Sequence, residues 1–393
     1  MTRVLVVSSL ALSLVNFRGR LLRALVDAGY TVEACAPDHD PAVVAALADM
    51  GVTFRQVPMA RAGLNPIADL RTLFALIRAI VAWRPDIVLA YTQKPIAYAG
   101  IATRLVGRAR FFAMVSGLGH AFSDTGSRTR PLLARLVALL FRAALARAVA
   151  VFVFNADDRG ELIRQGMITP HHRVLLLPGS GVDLEHFATS AVPTGAPVFL
   201  MIARLLKSKG LEEFVAAARI VRARSPDARF HLVGAIDANP DSVGAAALRA
   251  WQDEGAIRYL GETRDVRPHL ADATVFVLPS WYREGLPRTI LEAMATGRAV
   301  ITTDMPGCRD PIDAGVNGII VPPRDAGALA HACLRFVDDP ALARRMGSAA
   351  RRIAEDRYAV ERVNAEILHA FDPARFGRPG PKPATSTLAE LTT

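Results

Sequence analysis

Short runs of Val, Ile, Leu and Phe alternate along the chain with longer stretches whose apolar residues recur every three to four positions. In the first half, the runs at 4–8, 31–36, 53–57, 87–91, 111–115, 149–154 and 174–177 predict strands. Between them, helical periodicity covers segments such as 66–83 and 129–147. Strands that are apolar on both faces, each followed by a helix, imply a parallel sheet covered on both sides. The rhythm stops at LPGSGVDLEHFATSAVPTGAP, residues 177–197, which is rich in Gly, Pro, Ser and Thr. It then restarts, with strands predicted at 198–203, 229–233, 257–260, 274–278, 300–303 and 318–321. The chain thus reads as α/β, with two doubly wound Rossmann-like domains at 1–180 and 198–358 joined by a linker, 181–197. A ligand is expected in the crevice between them. A helix over 359–372 is expected to pack back toward the first domain, followed by a flexible tail, 373–393.

The apolar opening, 4–15, lacks the small-residue cleavage site of a secretory signal and runs directly into NFRGRLLRALVDAGY, an amphipathic helix pattern. A buried first strand followed by a helix is the expectation. No apolar run reaches the roughly 18 residues of a membrane span, so no bilayer crossing is expected.

Composition narrows the class. With 393 residues, 51% of them hydrophobic and 21% charged, the chain has enough apolar material for more than one core and is not a disordered sequence. Cys35, Cys308 and Cys333 have neither metal nor disulfide spacing, which suits a reducing cytosol. The 47 Lys and Arg against 37 Asp and Glu favour polyanionic partners. No base-reading module is recognisable, so nucleic acid is not an expected partner.

Two loops carry candidate chemistry. In VFVLPSWYREGLPRTILEAMATG a strand, a Pro-containing loop and a helix follow one another, with Pro287 expected at the first helical position. The free amides and partial positive charge of such a helix start make an anion site, and Gly285 lets the backbone approach closely. Glu284 and Glu292, with seven residues between them, bracket that start. A carboxylate there suits acceptance of two sugar hydroxyls, although a loop glutamate followed by a solvated helix glutamate fits the pattern equally. In ARLLKSKG, Arg204 and Lys209 follow a predicted strand and precede a helix over 211–224. Two cations at a sheet edge can neutralise a departing diphosphate without a metal. They also fit ordinary solvated charges.

Taken together, EGLPRTILE, ARLLKSKG and GSGVDLEHF, in this order of elements, resemble the retaining GT-B glycosyltransferases of family four over roughly residues 1–370. The resemblance implies a GT-B fold and a nucleotide-sugar donor. Glu292 would bind the donor ribose, Glu284 would lie beside the donor sugar, and amides of Gly285, Leu286 or Arg288 would face the donor. Arg204 and Lys209 correspond to the pyrophosphate-binding pair, and His120, in SGLGHAFSD, to the histidine that contacts the donor sugar. His120 and Glu284 are therefore the expected catalytic residues. One departure concerns the acceptor: SSLALSLVNFRGR lacks the paired glycines many members carry there, which leaves Asn16, Phe17, Arg18 and Lys94 as the acceptor-side candidates.

NFRGRLLRAL, YTQKPIAYAG and SWYREGLPRTILEA further resemble the subgroup that extends undecaprenyl-diphosphate-linked sugars, N-acetylgalactosaminyltransferases among them. That implies a UDP-sugar co-substrate, no cofactor or metal, and a polyprenyl-diphosphate-linked saccharide acceptor in bacterial glycan assembly. A nucleotide-sugar epimerase on the same fold, and a family-four transferase with a soluble acceptor, remain alternatives. Arg128, Arg135 and Arg142 recur every seven residues beside an apolar face. This pattern fits a helix lying on anionic lipid, and equally a core-packed helix with one solvated face. With the net charge it gives the expected location, cytoplasmic and peripheral on the inner face of the cytoplasmic membrane.

Overall fold

The computed structural model describes residues 1–60, 65–117, 130–237, 239 and 241–376, with the side chains of 130–133 not among them. Among these residues the chain forms two compact units. One comprises Met1–Ser180 with 360–376, the other Gly181–Ala359.

The first unit holds a seven-stranded parallel sheet in the order β3-β2-β1-β4-β5-β6-β7. Its strands are β1 (Arg3–Val7), β2 (Thr31–Ala36), β3 (Val52–Gln56), β4 (Ile87–Tyr91), β5 (Arg110–Val115), β6 (Ala148–Val153) and β7 (Val174–Leu176). Leu5, Val88, Phe111 and Val151 pack against Leu76 and Ile80 of the helix Pro66–Trp83 and Phe141 of the helix Arg130–Leu145. Pro66–Trp83 starts where the sequence predicts it because Asn65 caps two first-turn amides, at 3.1 and 3.2 Å, ahead of Pro66. Arg135 and Arg142 stand exposed beside Leu136 and Leu139, while Phe141 and Leu145 are buried; Arg128 lies outside the described residues.

The single helix predicted over 16–30 is instead two, Ala11–Asn16 and Gly19–Asp27. The break has a physical cause. Arg18 turns inward with non-helical φ/ψ, its guanidinium 4.9 Å from the Tyr91 ring and donating to Ser180 Oγ at 2.8 Å. The helix Val360–Phe371 belongs to this unit. Arg20 pairs with Glu361 at 2.9 Å, Arg110 donates to the Phe371 carbonyl at 2.7 Å, and the Phe112 and Phe371 rings meet at 4.6 Å. The expected tail beyond residue 376 lies outside the described residues.

The second unit holds a six-stranded parallel sheet in the order β10-β9-β8-β11-β12-β13. Its strands are β8 (Val198–Ile202), β9 (Arg229–Val233), β10 (Arg258–Tyr259), β11 (Val275–Leu278), β12 (Ala299–Thr303) and β13 (Gly318–Val321). The Gly/Pro-rich segment after Ser180 is tied to this unit by two arginines. Arg298, wholly buried, donates to the carbonyls of Leu270, Ser190, Ala191 and Ala271 at 2.8 to 3.1 Å. Arg351 donates to the carbonyls of Phe187 and Ala295 at 2.9 and 2.6 Å. No helix among the described residues is long and apolar enough to cross a membrane.

Candidate functional site

In the second sheet β8 lies between β9 and β11. The chain leaves β8 toward β9 on one side and returns at β11 on the other, so its course reverses between β8 and β11, whose loops stand side by side at the carboxyl edge. Open parallel sheets bind ligands at such a switch point. Both loops singled out in the sequence are these two.

Their closeness depends on Gly210. At φ +82 it ends a 3₁₀ turn, Lys207–Lys209, and a Cβ there would sit 2.0 Å from the carbonyl oxygen of Pro279. Ser208 and Trp281 join the loops by a backbone hydrogen bond, Trp281 donating to the Ser208 carbonyl at 3.1 Å. Gly210→Ala should therefore push the loops apart and lower kcat/KM at least about tenfold with little change in the first unit. Initial rates at varied donor, with thermal melting, check this; unaltered kinetics would refute it.

Across that seam Lys209 Nζ donates to Glu284 Oε1, and Ser280 Oγ donates to the same oxygen at 3.1 Å. The Lys209 and Glu284 side chains are only 14% and 13% exposed, so the pair is held in a shielded setting where charges act strongly. Lys209 also lies 5.8 Å from the Tyr282 ring centroid. Glu284 is anchored from behind by its own amide, which donates to the Pro306 carbonyl at 3.1 Å. Arg204, on the same loop as Lys209, is more open at 56% exposure and pairs with Asp237 at 3.0 Å.

The helix after β11 is Arg288–Ala295, starting one residue later than the sequence predicts. Pro287 is its cap and not its first residue: at ψ 119 its backbone is still extended, and its own side chain makes no capping hydrogen bond. Gly285 and Leu286 are buried just ahead of it. Glu292 sits in the second turn, buried, with Arg288 Nη2 at 3.2 Å from one carboxylate oxygen. Burial pushes its carboxyl above the usual range, and Arg288 pulls it back in part.

This shift sets a pH dependence. If Glu292 accepts the ribose hydroxyls expected of it, it must be ionised, and the KM for donor should then rise on acidification at a pH above the ordinary glutamate value of about 4.3. Glu292→Gln should bind donor weakly with a flat profile. Stability runs the opposite way. The folded carboxyl holds its proton to higher pH than the unfolded one, so ionising it as pH rises through that window costs stability. Glu292→Gln should thus melt no lower than the parent at neutral pH. A variant that keeps the parent's acid limb would disprove the role.

The remaining expected residues fall in the first unit. Asn16 is exposed at the end of its helix, and Arg18 is buried against Tyr91. Lys94 is no solvated loop residue: it sits in the first turn of the helix Gln93–Val106 and pairs with Asp69 at 2.8 Å, both largely buried. His120 lies outside the described residues.

Sequence reasoning missed the residues that hold the charged ones in place. Ser280 orients Glu284, Asp237 holds Arg204, and Asp241 accepts from Ser208 Oγ at 2.6 Å. For the two aspartates the signal was DANPD, an acid-containing stretch that begins four positions after the end of β9. Among the described residues no group of three His, Cys, Asp or Glu is gathered to hold a metal ion.

Comparison with known proteins agrees with this architecture. Residues 196–339 match the family model "Glycosyl transferases group 1", and residues 16–180 match "Glycosyl transferase 4-like domain". The chain is 27% identical over 343 residues to the N,N'-diacetylbacillosaminyl-diphospho-undecaprenol alpha-1,3-N-acetylgalactosaminyltransferase of Campylobacter jejuni, covering 84% of this chain and 88% of the relative. It is 25% identical over 324 residues to the Escherichia coli UDP-Gal:alpha-D-GlcNAc-diphosphoundecaprenol alpha-1,3-galactosyltransferase, covering 78% and 81%. Among solved structures, sucrose-phosphate synthase from Thermosynechococcus elongatus superposes with a TM-score of 0.78 at 20% identity, covering 94% of this chain and 98% of that one. The fold is GT-B, and the chain belongs to the group 1, family-four-like glycosyltransferases.

Proposed function

We propose that this glycosyltransferase moves a hexosyl or N-acetylhexosaminyl group, with retention, from a UDP-sugar to an undecaprenyl-diphosphate-linked saccharide. The observation that carries the donor half is the shielded Lys209–Glu284 pair at the β8/β11 switch point. UDP as the nucleotide is supported by the name of the Escherichia coli relative, and a lipid-linked acceptor by the names of both relatives above.

In this reading the bond between the donor's anomeric carbon and its β-phosphate oxygen breaks, and a bond to an acceptor oxygen forms on the same face. The acceptor's hydroxyl proton goes to the leaving phosphate. Charge growing on the diphosphate is met by Lys209, Arg204 and the positive end of the helix Arg288–Ala295, with no metal or cofactor. Glu284 is committed to Lys209 and Ser280, which leaves it as a binding group for the sugar and not a nucleophile. Glu292 accepts ribose hydroxyls, His120 contacts the donor sugar, and Asn16, Arg18 and Lys94 serve the acceptor. The enzyme works from the cytoplasmic side as a peripheral protein.

The test is incubation with a panel of UDP-sugars and bacterial lipid-linked acceptors. Mass analysis should show one added sugar on the lipid with release of UDP, and NMR of the product an unchanged anomeric configuration. An epimerised sugar nucleotide with no lipid product would overturn the proposal.

A further inference from the structure

The helices Pro66–Trp83, Gln93–Val106 and Arg130–Leu145 form one layer of the first unit, the middle one packing against both others. Their outward side is unusual for a water-facing surface. On Pro66–Trp83, Ile67 and Phe74 are 73% and 62% exposed, and Leu70 and Val81 also stand in solvent. The spacing 67, 70, 74, 81 places them along one stripe of the helix. A helix normally buries such a stripe, and here the opposite face, with Leu76, Ala79 and Ile80, is already buried in the core. Leu136 and Leu139 add to the exposed apolar surface on the third helix.

The charges in the same layer have one sign. The three helices contain a single carboxylate, Asp69, and it is buried and paired with Lys94. Arg71, Arg78, Arg135 and Arg142 are exposed. Arg71 and Arg78, one heptad apart, flank the apolar stripe and help line a groove of about 470 Å³ together with Phe74 and Ala79. The third arginine of that groove, Arg55, is already held by Glu33 through two bonds of 2.6 and 3.0 Å.

We propose that this layer is a docking face for an anionic phospholipid bilayer. The Ile67–Val81 stripe enters the interface, and Arg71 and Arg78 lie over lipid phosphates. A face with exposed arginines, no exposed carboxylate and a row of solvent-facing aliphatics matches the two contributions of interfacial binding, apolar insertion and attraction to anionic head groups. A second copy of the same chain fits less well, because two such faces would bring like charges together. The proposal gives a physical basis to the lipid-linked acceptor reading and rests on it only for its purpose, since the face itself is tested without sugar.

The experiment is co-sedimentation of the full chain with phosphatidylcholine vesicles with and without about 30% phosphatidylglycerol. The wild type should bind the anionic vesicles at least about tenfold better than the neutral ones. Leu70→Ser with Phe74→Ser should weaken that binding at least about tenfold. Arg71→Glu with Arg78→Glu should erase the preference for anionic lipid. Ile220→Ser, an exposed aliphatic of the second unit, is the control and should bind as the parent does. All changed positions are exposed, so melting temperatures should match the parent.

Equal binding to both vesicle types, or undiminished binding by the Leu70/Phe74 double variant, would overturn the proposal. So would a wild-type dimer in analytical ultracentrifugation that this variant turns into monomers. Sugar transfer to a short-chain, water-soluble acceptor analogue separates the two readings. Transfer without vesicle binding sinks the docking face alone, and vesicle binding without transfer to any acceptor sinks the proposed reaction alone.

Discussion

Lys209→Ala should lower kcat/KM by about 100-fold or more, a loss near 2.7 kcal/mol of transition-state stabilisation. Two effects combine. The departing diphosphate loses a cation placed in a shielded setting, and the Glu284 carboxylate, itself 13% exposed, loses the ammonium that balances it. Lys209→Arg keeps the charge with a planar fork in place of a point donor, and should recover only part of the rate. Arg204→Ala should cost less, about tenfold, because that side chain is 56% exposed and already paired with Asp237 in solvent. Steady-state kinetics at saturating acceptor decide this. A Lys209→Ala enzyme within about twofold of the parent would remove the pair from the proposed chemistry.

Arg298→Ala should destabilise the second unit by about 3–5 kcal/mol, a magnitude typical of dismantling a buried charged network. The guanidinium is wholly buried, and its carbonyl partners at 270, 271, 190 and 191 would lose their donors at once. Burial lowers the Arg298 pKa to about 10, with the Asp272 carboxylate pulling it back in part, so it stays charged at neutral pH. Arg298→Lys cannot span four carbonyls and should restore little. Calorimetry should show the second unit's transition falling by about 10 °C, with the segment around Ser190 becoming the first site of proteolytic cutting. An unchanged melting profile would mean that the segment is held by other contacts.

Much of the fold was legible because parallel sheets write themselves into sequence. Strands buried on both faces must be apolar at every position, as in β4 and β11, and the helices between them need a 3.6-residue stripe. The helix 211–224 is found at its predicted ends, since Gly210 and Ser225 punctuate it. The 16–30 segment was misread because periodicity carries no information about Arg18, whose inward turn depends on Tyr91, more than seventy positions along the chain. The start of the helix after β11 moved for a local reason, as Pro287 tolerates both a cap and a first-turn position.

The sequence by itself determined the α/β class, the two sheets and the two loops that carry the charged residues, because these follow from local pattern and spacing. Tertiary structure alone decided how those charges are paired. Lys209 and Glu284 are 75 positions apart, and only the adjacency of β8 and β11, with room made by Gly210, joins them across one seam. Likewise Asp69 neutralises Lys94, Asp237 holds Arg204, and Arg298 clamps a segment 108 positions away. Charge pairing is set by distance in space, and sequence separation does not encode it.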